Sequence, residues 1–168
     1  MLSDVRHLFE TARLRPSQID AIVAGTGPGT FTGLRIGLAT ARALGFALGV
    51  PVSGVSTLDA LLEGDGVEVA CIDARRGEVF AAGRGIEPCV MTADQLAGRL
   101  PRGVLVAGDG AVRYRAPLGE VAIPPDGSPL HVPWARYHAG LIERAGPPEP
   151  LYLRAPDADR ALAGGPPA

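Results

Sequence analysis

The stretch Gly25-Thr26-Gly27-Pro28-Gly29-Thr30-Phe31-Thr32-Gly33-Leu34-Arg35-Ile36-Gly37 decides how this chain folds. It follows the short apolar run Ala21-Ile22-Val23-Ala24, which reads as a strand, and it leads into the longest helical pattern of the chain, over residues 35–48. A strand that runs through a glycine-rich loop (25–33) into a helix is the opening of an α/β unit. Such a loop presents unpaired backbone N–H groups and the positive end of a helix dipole. Its glycines permit positive φ and close approach by another molecule. An anion site and a ligand-free strand-to-helix turn both fit these residues. Neither familiar phosphate motif does, because the Walker pattern needs a lysine and the dinucleotide pattern needs a third glycine where Thr30 or Thr32 stands.

Working outward, residues 3–15 form an amphipathic helix that Ser3 can cap, with Val5, Leu8, Phe9 and Ala12 on one face. Pro16 ends it, and 16–20 make a one-turn link. In the helix over 35–48, small and apolar residues cover most of the circumference, so burial on more than one side is expected, by its own domain or by a partner. Strands follow at 50–55, 68–73, 78–82 and 104–107, and helices at 57–63, 92–100 and 133–145. Ala74-Arg75-Arg76-Gly77 joins the middle two strands as a hairpin turn. Residues 151–154 read as an extended piece. The Ala-, Asp-, Gly- and Pro-rich tail at 155–168 reads as disordered. The whole is an α/β protein with a mixed sheet and flanking helices.

Composition removes several chemistries. All 16 basic residues are arginine, so Schiff-base, P-loop and lysine-base mechanisms are excluded. A net charge of −2 gives no electrostatic footprint for direct binding of nucleic acid. Cys71 and Cys89 read as reduced core thiols. No secretory leader or membrane span is evident, which makes a cytoplasmic location the expectation. His7, His131 and His138 lack the spacing of a helix-borne metal pair, and no nucleophile elbow is present. Asp73 and Glu78, with Arg75 and Arg76 between them, could form an acid–base or cation-binding cluster. The favoured reading is a charged turn held by arginine–carboxylate pairs.

Four landmarks carry a resemblance. Gly27-Pro28-Gly29-Thr30-Phe31-Thr32-Gly33-Leu34-Arg35-Ile36-Gly37 is similar to the GPGSFTGxRIG signature of the TsaB (YeaZ-like) family, part of the M22 glycoprotease-like superfamily. Gly54-Val55-Ser56-Thr57-Leu58 resembles its GVSTL segment, Asp73-Ala74-Arg75-Arg76-Gly77-Glu78-Val79-Phe80 its DARxGEVY hairpin, and Leu151-Tyr152-Leu153-Arg154 its VYLR. The resemblance implies an actin-like, hexokinase-like (ribonuclease H-like) ATPase fold. Residues 1–64 would be the remainder of an N-terminal lobe and 65–154 a smaller second lobe. The family's opening LALDT-like strand is not matched here, so the expectation is a chain truncated in that lobe, with an unpaired sheet edge.

The resemblance further implies a non-catalytic subunit of the complex that forms N6-threonylcarbamoyladenosine in tRNA. Its partners would be the catalytic subunit TsaD and, through the complex, the ATPase TsaE. The complex would use ATP while this chain holds no cofactor, tRNA would be met indirectly, and homodimers are a further expectation. The implied interface comprises Leu8, Phe9 and Ala12 on the first helix with Leu38, Ala41, Arg42 and Gly45 on the second. Gly27, Pro28, Gly29, Thr30, Phe31, Thr32, Gly33 and Arg35 form the motif loop; Asp73, Arg75, Gly77 and Glu78 form a structural hairpin. The alternative is an ATP-binding phosphotransferase or glycoprotease-like hydrolase of the same superfamily.

Overall fold

A computed structural model describes residues 2–154, so the tail expected to be disordered lies outside the described residues. Helix α1 (Leu2–Ala12) and a 3-10 turn at Pro16–Gln18 lead into β1 (Ile22–Gly27). That strand pairs in parallel with β2 (Val52–Ser56), Ile22 opposite Val52 and Ala24 opposite Gly54. Between them runs α2 (Phe31–Leu48), which ends on Gly49 in the left-handed region at φ 69°. Helix α3 (Thr57–Leu62) starts at Ser56, whose hydroxyl accepts the Leu58 N–H. The crossover from β1 through α2 to a parallel neighbour is the βαβ unit announced by the alternation of apolar runs and glycine punctuation.

The second sheet has four strands in the order β5-β4-β3-β6. Strands β3 (Val69–Arg75) and β4 (Glu78–Gly83) form the hairpin, β5 (Ile86–Thr92) adds antiparallel to β4, and β6 (Val106–Ala107) adds parallel to β3. The sheet is therefore mixed, as the sequence led one to expect. Helices α4 (Ala93–Ala97), α5 (Asp109–Arg113), α6 (Arg115–Leu118) and α7 (Ala135–Gly140) complete the described α-helices. Thr92 and Gln95 build a capping box at the start of α4.

Two apolar clusters hold these layers. The larger lies between the four-stranded sheet and α4–α6, with Val69, Cys71, Val79, Leu96, Val106 and Leu118 at its centre. The smaller joins α3 to β3 and β4 through Leu58, Leu61, Ala70 and Ala82, with Leu153 packed against it. Leu58, Leu61, Leu96 and Leu118 are almost wholly buried, and each such side chain contributes about 1.5–3 kcal/mol. By contrast β1 is only half-buried over Ile22–Ala24, and it pairs with β2 alone among the described strands.

Several boundaries differ from the sequence reading for identifiable reasons. Helix α2 begins at Phe31, four residues before the expected start, and it absorbs Gly33 in its first turn. Gly25 and Gly27 belong to β1, so the glycine-rich loop shrinks to Pro28, Gly29 and Thr30, with a cis peptide at Gly27–Pro28. Strand β5 was not anticipated because Glu87 and Pro88 interrupt its apolar pattern. Proline is tolerated there since β5 is an edge strand. The stretch 133–145 breaks into α7 and a 3-10 turn at Ile142–Arg144, and residues 151–154 join no strand.

Candidate functional site

The motif turn, the hairpin and the closing Leu151-Tyr152-Leu153-Arg154 meet in one cleft. It has a volume of about 330 Å³ and is lined by Gly29, Thr30, Phe31, Asp73, Arg75 and Arg154, among others. At its α2 side, the Arg35 guanidinium stacks over the Phe31 ring at 3.8 Å. Phe31 in turn lies 5.5 Å from the Tyr152 ring, and Arg35 Nε donates to the Tyr152 hydroxyl at 3.3 Å. On the opposite side, Asp73 has a side chain only 6% exposed, yet it is fully partnered. It accepts the Arg75 N–H at 2.8 Å and the Tyr114 hydroxyl at 3.0 Å, with the Arg75 and Arg113 guanidinium groups at 3.4 and 3.5 Å.

The hairpin turn explains that investment of partners. Arg75, Arg76 and Gly77 all take positive φ, at 66°, 56° and 78°. Such φ values cost free energy for arginine, and the Asp73 carboxylate stabilises the strained Arg75 peptide directly. Tyr114 also accepts the Gly77 N–H at 3.3 Å, and Asp109 accepts the Asp73 N–H at 3.0 Å. Glu78 pairs with Arg154, whose Nη1 donates to the Ala74 carbonyl at 2.7 Å. The geometry is that of a carboxylate-pinned turn. Tyr114 and Asp109 escaped the sequence reading; the only available signal was Gly108-Asp109-Gly110 directly after a strand.

The interface residues divide. Leu38, Ala41 and Gly45 are buried inside this chain and cannot face a partner; this corrects the expectation. Gly45 shows why, since a Cβ there would collide with Val52 Cγ2 and stand 3.2 Å from the Val50 carbonyl. These small residues let α2 lie close on β1 and β2. Arg42 is exposed, but its Nη2 already donates to the Pro148 carbonyl at 2.6 Å. The outward face of α2 is instead Ile36, Ala39, Ala43, Phe46 and Ala47, with Ile36 52% and Phe46 92% exposed. On α1, Leu8 is 65% exposed, Ala12 exposed and Phe9 half-buried. Together with Val5, Leu14 and Ile19 they line an apolar hollow of about 250 Å³.

A larger cavity, about 550 Å³, lies between α3 and the segment 141–151 and includes Thr26, Ser56, Asp59, Glu63, Arg144 and Glu149 in its wall. Burial, and then the neighbouring Glu63, push the Asp59 carboxyl above its ordinary value. His131 is buried, with Nδ1 3.1 Å from Gly108 N and Nε2 3.2 Å from the Pro124 carbonyl, so it ties a loop to the start of α5. His138 Nδ1 lies 3.2 Å from the Trp134 carbonyl. Among the described residues, no group of three His, Cys, Asp or Glu side chains is placed to hold a metal ion. No helix among them is long and apolar enough to cross a membrane.

Comparison with known proteins finds relatives that cover most of the chain. The family profile described as TsaD, tRNA N6-adenosine threonylcarbamoyltransferase, matches residues 1–100. A Mycobacterium bovis protein of uncharacterized function is 41% identical over 156 residues, covering 88% of this chain and 70% of its own. The tRNA threonylcarbamoyladenosine biosynthesis protein TsaB of Escherichia coli is 39% identical over 88 residues, which span 49% of this chain and 38% of that protein. A Pseudomonas aeruginosa crystal structure described as similar to peptidase YeaZ superposes with a TM-score of 0.68 at 28% identity, over 91% of this chain and 82% of that one. The chain therefore belongs to the tRNA N6-adenosine threonylcarbamoyltransferase family, and within it to the TsaB-like, YeaZ-fold proteins.

Proposed function

We propose that this chain is a non-catalytic subunit in the biosynthesis of threonylcarbamoyladenosine on tRNA, and that it docks on the catalytic subunit TsaD through α1 and the outward face of α2. Through that assembly it would reach the ATPase TsaE and meet tRNA indirectly, with ATP consumed by the complex. The observation that carries the reading is the α2 face itself. Phe46 at 92% exposure, Ile36 and three alanines form an apolar strip on an 18-residue helix whose other side is already buried. Alanines let a partner helix approach closely, and large apolar groups at the ends supply anchoring contacts. The Leu8 face of α1 offers a second apolar surface for the same purpose.

Size-exclusion co-elution of the full chain with TsaD from the same organism tests this. The unaltered chain should co-elute, while Phe46→Glu or Ala43→Arg should weaken the complex by about 30-fold or more, the scale of an interface anchor. Co-elution unaffected by both substitutions would refute the docking face. A folded wild-type chain that never joins TsaD would refute the partnership.

A further inference from the structure

The segment 146–154 has no regular secondary structure beyond an isolated bridge, yet it crosses from one sheet to the other and is fixed at every step. Gly146 exchanges two backbone hydrogen bonds with Gly54 of β2, at 2.8 and 3.0 Å. The Pro148 carbonyl accepts from Arg42 on α2, and the Leu151 N–H donates to the Thr26 carbonyl of β1 at 2.8 Å. Tyr152 stacks on Phe31, in the first turn of α2. Leu153 packs on the cluster that joins α3 to β3 and β4. Arg154 then grips the hairpin through the Ala74 carbonyl and Glu78, with its guanidinium 5.8 Å from the Phe80 ring. The same segment forms walls of both the 550 Å³ cavity and the 330 Å³ cleft.

One atom is out of balance. Among the described residues, Arg154 Nε is buried with no hydrogen-bond partner, although both of its terminal nitrogens are engaged. A buried N–H left unpaired opposes the contacts made by the rest of the group, so the grip is held below its full strength. The turn it holds is itself built on three consecutive positive φ angles. A hold of limited strength on a strained turn is suited to opening and closing.

From this we infer that residues 146–154 are a latch: Tyr152 fixes it to the start of α2, Arg154 closes it on the hairpin, and its release lets the hairpin move away from α2 and opens the cleft. The inference stands apart from the docking proposal, because every contact it uses is within this chain.

Hydrogen–deuterium exchange on the full chain tests it. Arg154→Ala should speed exchange over 73–77 by about tenfold or more, the loss of roughly one charged contact, and leave the β4–β5 ladder unchanged. Tyr152→Ala is the deciding variant, since its ring and hydroxyl contacts are with Phe31 and Arg35. A latch predicts that it too speeds exchange at the hairpin, by about threefold or more. If Arg154→Ala acts on the hairpin and Tyr152→Ala does not, Arg154 is a local clamp and the latch is overturned. It is equally overturned if exchange rises uniformly through both sheets, or if neither variant changes the hairpin. Should Arg154→Ala fail to fold, Tyr152→Ala alone decides by the same criterion.

Discussion

At the scale of single residues, Cys71 shows how much placement matters. It sits in the middle of β3 with no exposed surface, and Asp109 and Asp73 lie close enough for their charges to act on it. Burial first, and those two carboxylates second, push the thiol up to about 12 from an ordinary value of 9.0. The folded chain therefore keeps the proton where the unfolded chain has released it. That contribution is fully present below pH 9.0 and is lost as the pH rises towards 12. Stability from urea titration should fall between those values with a slope approaching about 1.4 kcal/mol per pH unit from this group. The same curve for Cys71→Ala should be flatter there, and equal slopes would show that the thiol is not held protonated. The sequence indicated a reduced core thiol at this position, but not the two carboxylates. Asp109 is 38 positions away along the chain, and only the pairing of β6 beside β3 brings it near. The same holds for Asp73, whose neighbours Arg75 and Glu78 were legible from the hairpin pattern. Its partners Arg113 and Tyr114 were not, because they lie at the end of α5 and in the turn between α5 and α6, helices whose five and four residues leave no periodic signal.

At the scale of elements, α2 separates what periodicity can and cannot say. The structure buries only its Leu38, Ala41 and Gly45 side within this chain, not the more than one side that the sequence led one to expect, and its existence alone was plain from the sequence. Its inward face was not, because alanine, glycine and leucine occupy all directions and the apolar moment has no strong axis. The decisive information is steric and belongs to the neighbour: Val52 on β2 leaves room for Gly45 and for nothing larger. Two substitutions in this helix should thus behave oppositely. Gly45→Ala adds one methyl group into Val52 and should lower stability by about 1–3 kcal/mol, despite alanine's better helix propensity. Ala43→Leu, on the exposed face, should change stability by less than about 0.5 kcal/mol. Thermal unfolding of both variants checks the assignment; a stabilised Gly45→Ala would reverse the inward and outward faces. The glycine-rich turn carries a related lesson. Its glycines were visible, but the helix dipole starts at Phe31, so the turn offers only three residues ahead of the helix rather than a long cradle.

At the scale of the whole molecule, the two sheets are unequally supported, and this should be measurable. The four-stranded sheet is covered by the larger cluster, and Val69, Ala70 and Cys71 on β3 have no exposed surface. The β1–β2 pair has only two strands, a half-buried β1, and α2 on which a strip of apolar side chains faces solvent. Exchange free energies follow local burial, so amides of β1 and β2 should open sub-globally, while those of β3 and β4 should report the global unfolding. Leu96→Ala removes a fully buried side chain from the larger cluster and should cost about 2–5 kcal/mol. It should lower protection throughout β3 and β4 but leave the lower-energy opening of β1 and β2 nearly unchanged. Leu61→Ala acts differently, because Leu61 belongs to the cluster that joins α3, directly after β2, to β3 and β4. That variant should lower protection in both sheets together. Native-state hydrogen exchange across a urea series distinguishes the cases. Equal protection in β1 and β3, or an identical pattern of loss in the two variants, would mean that the chain unfolds as one unit despite its two clusters.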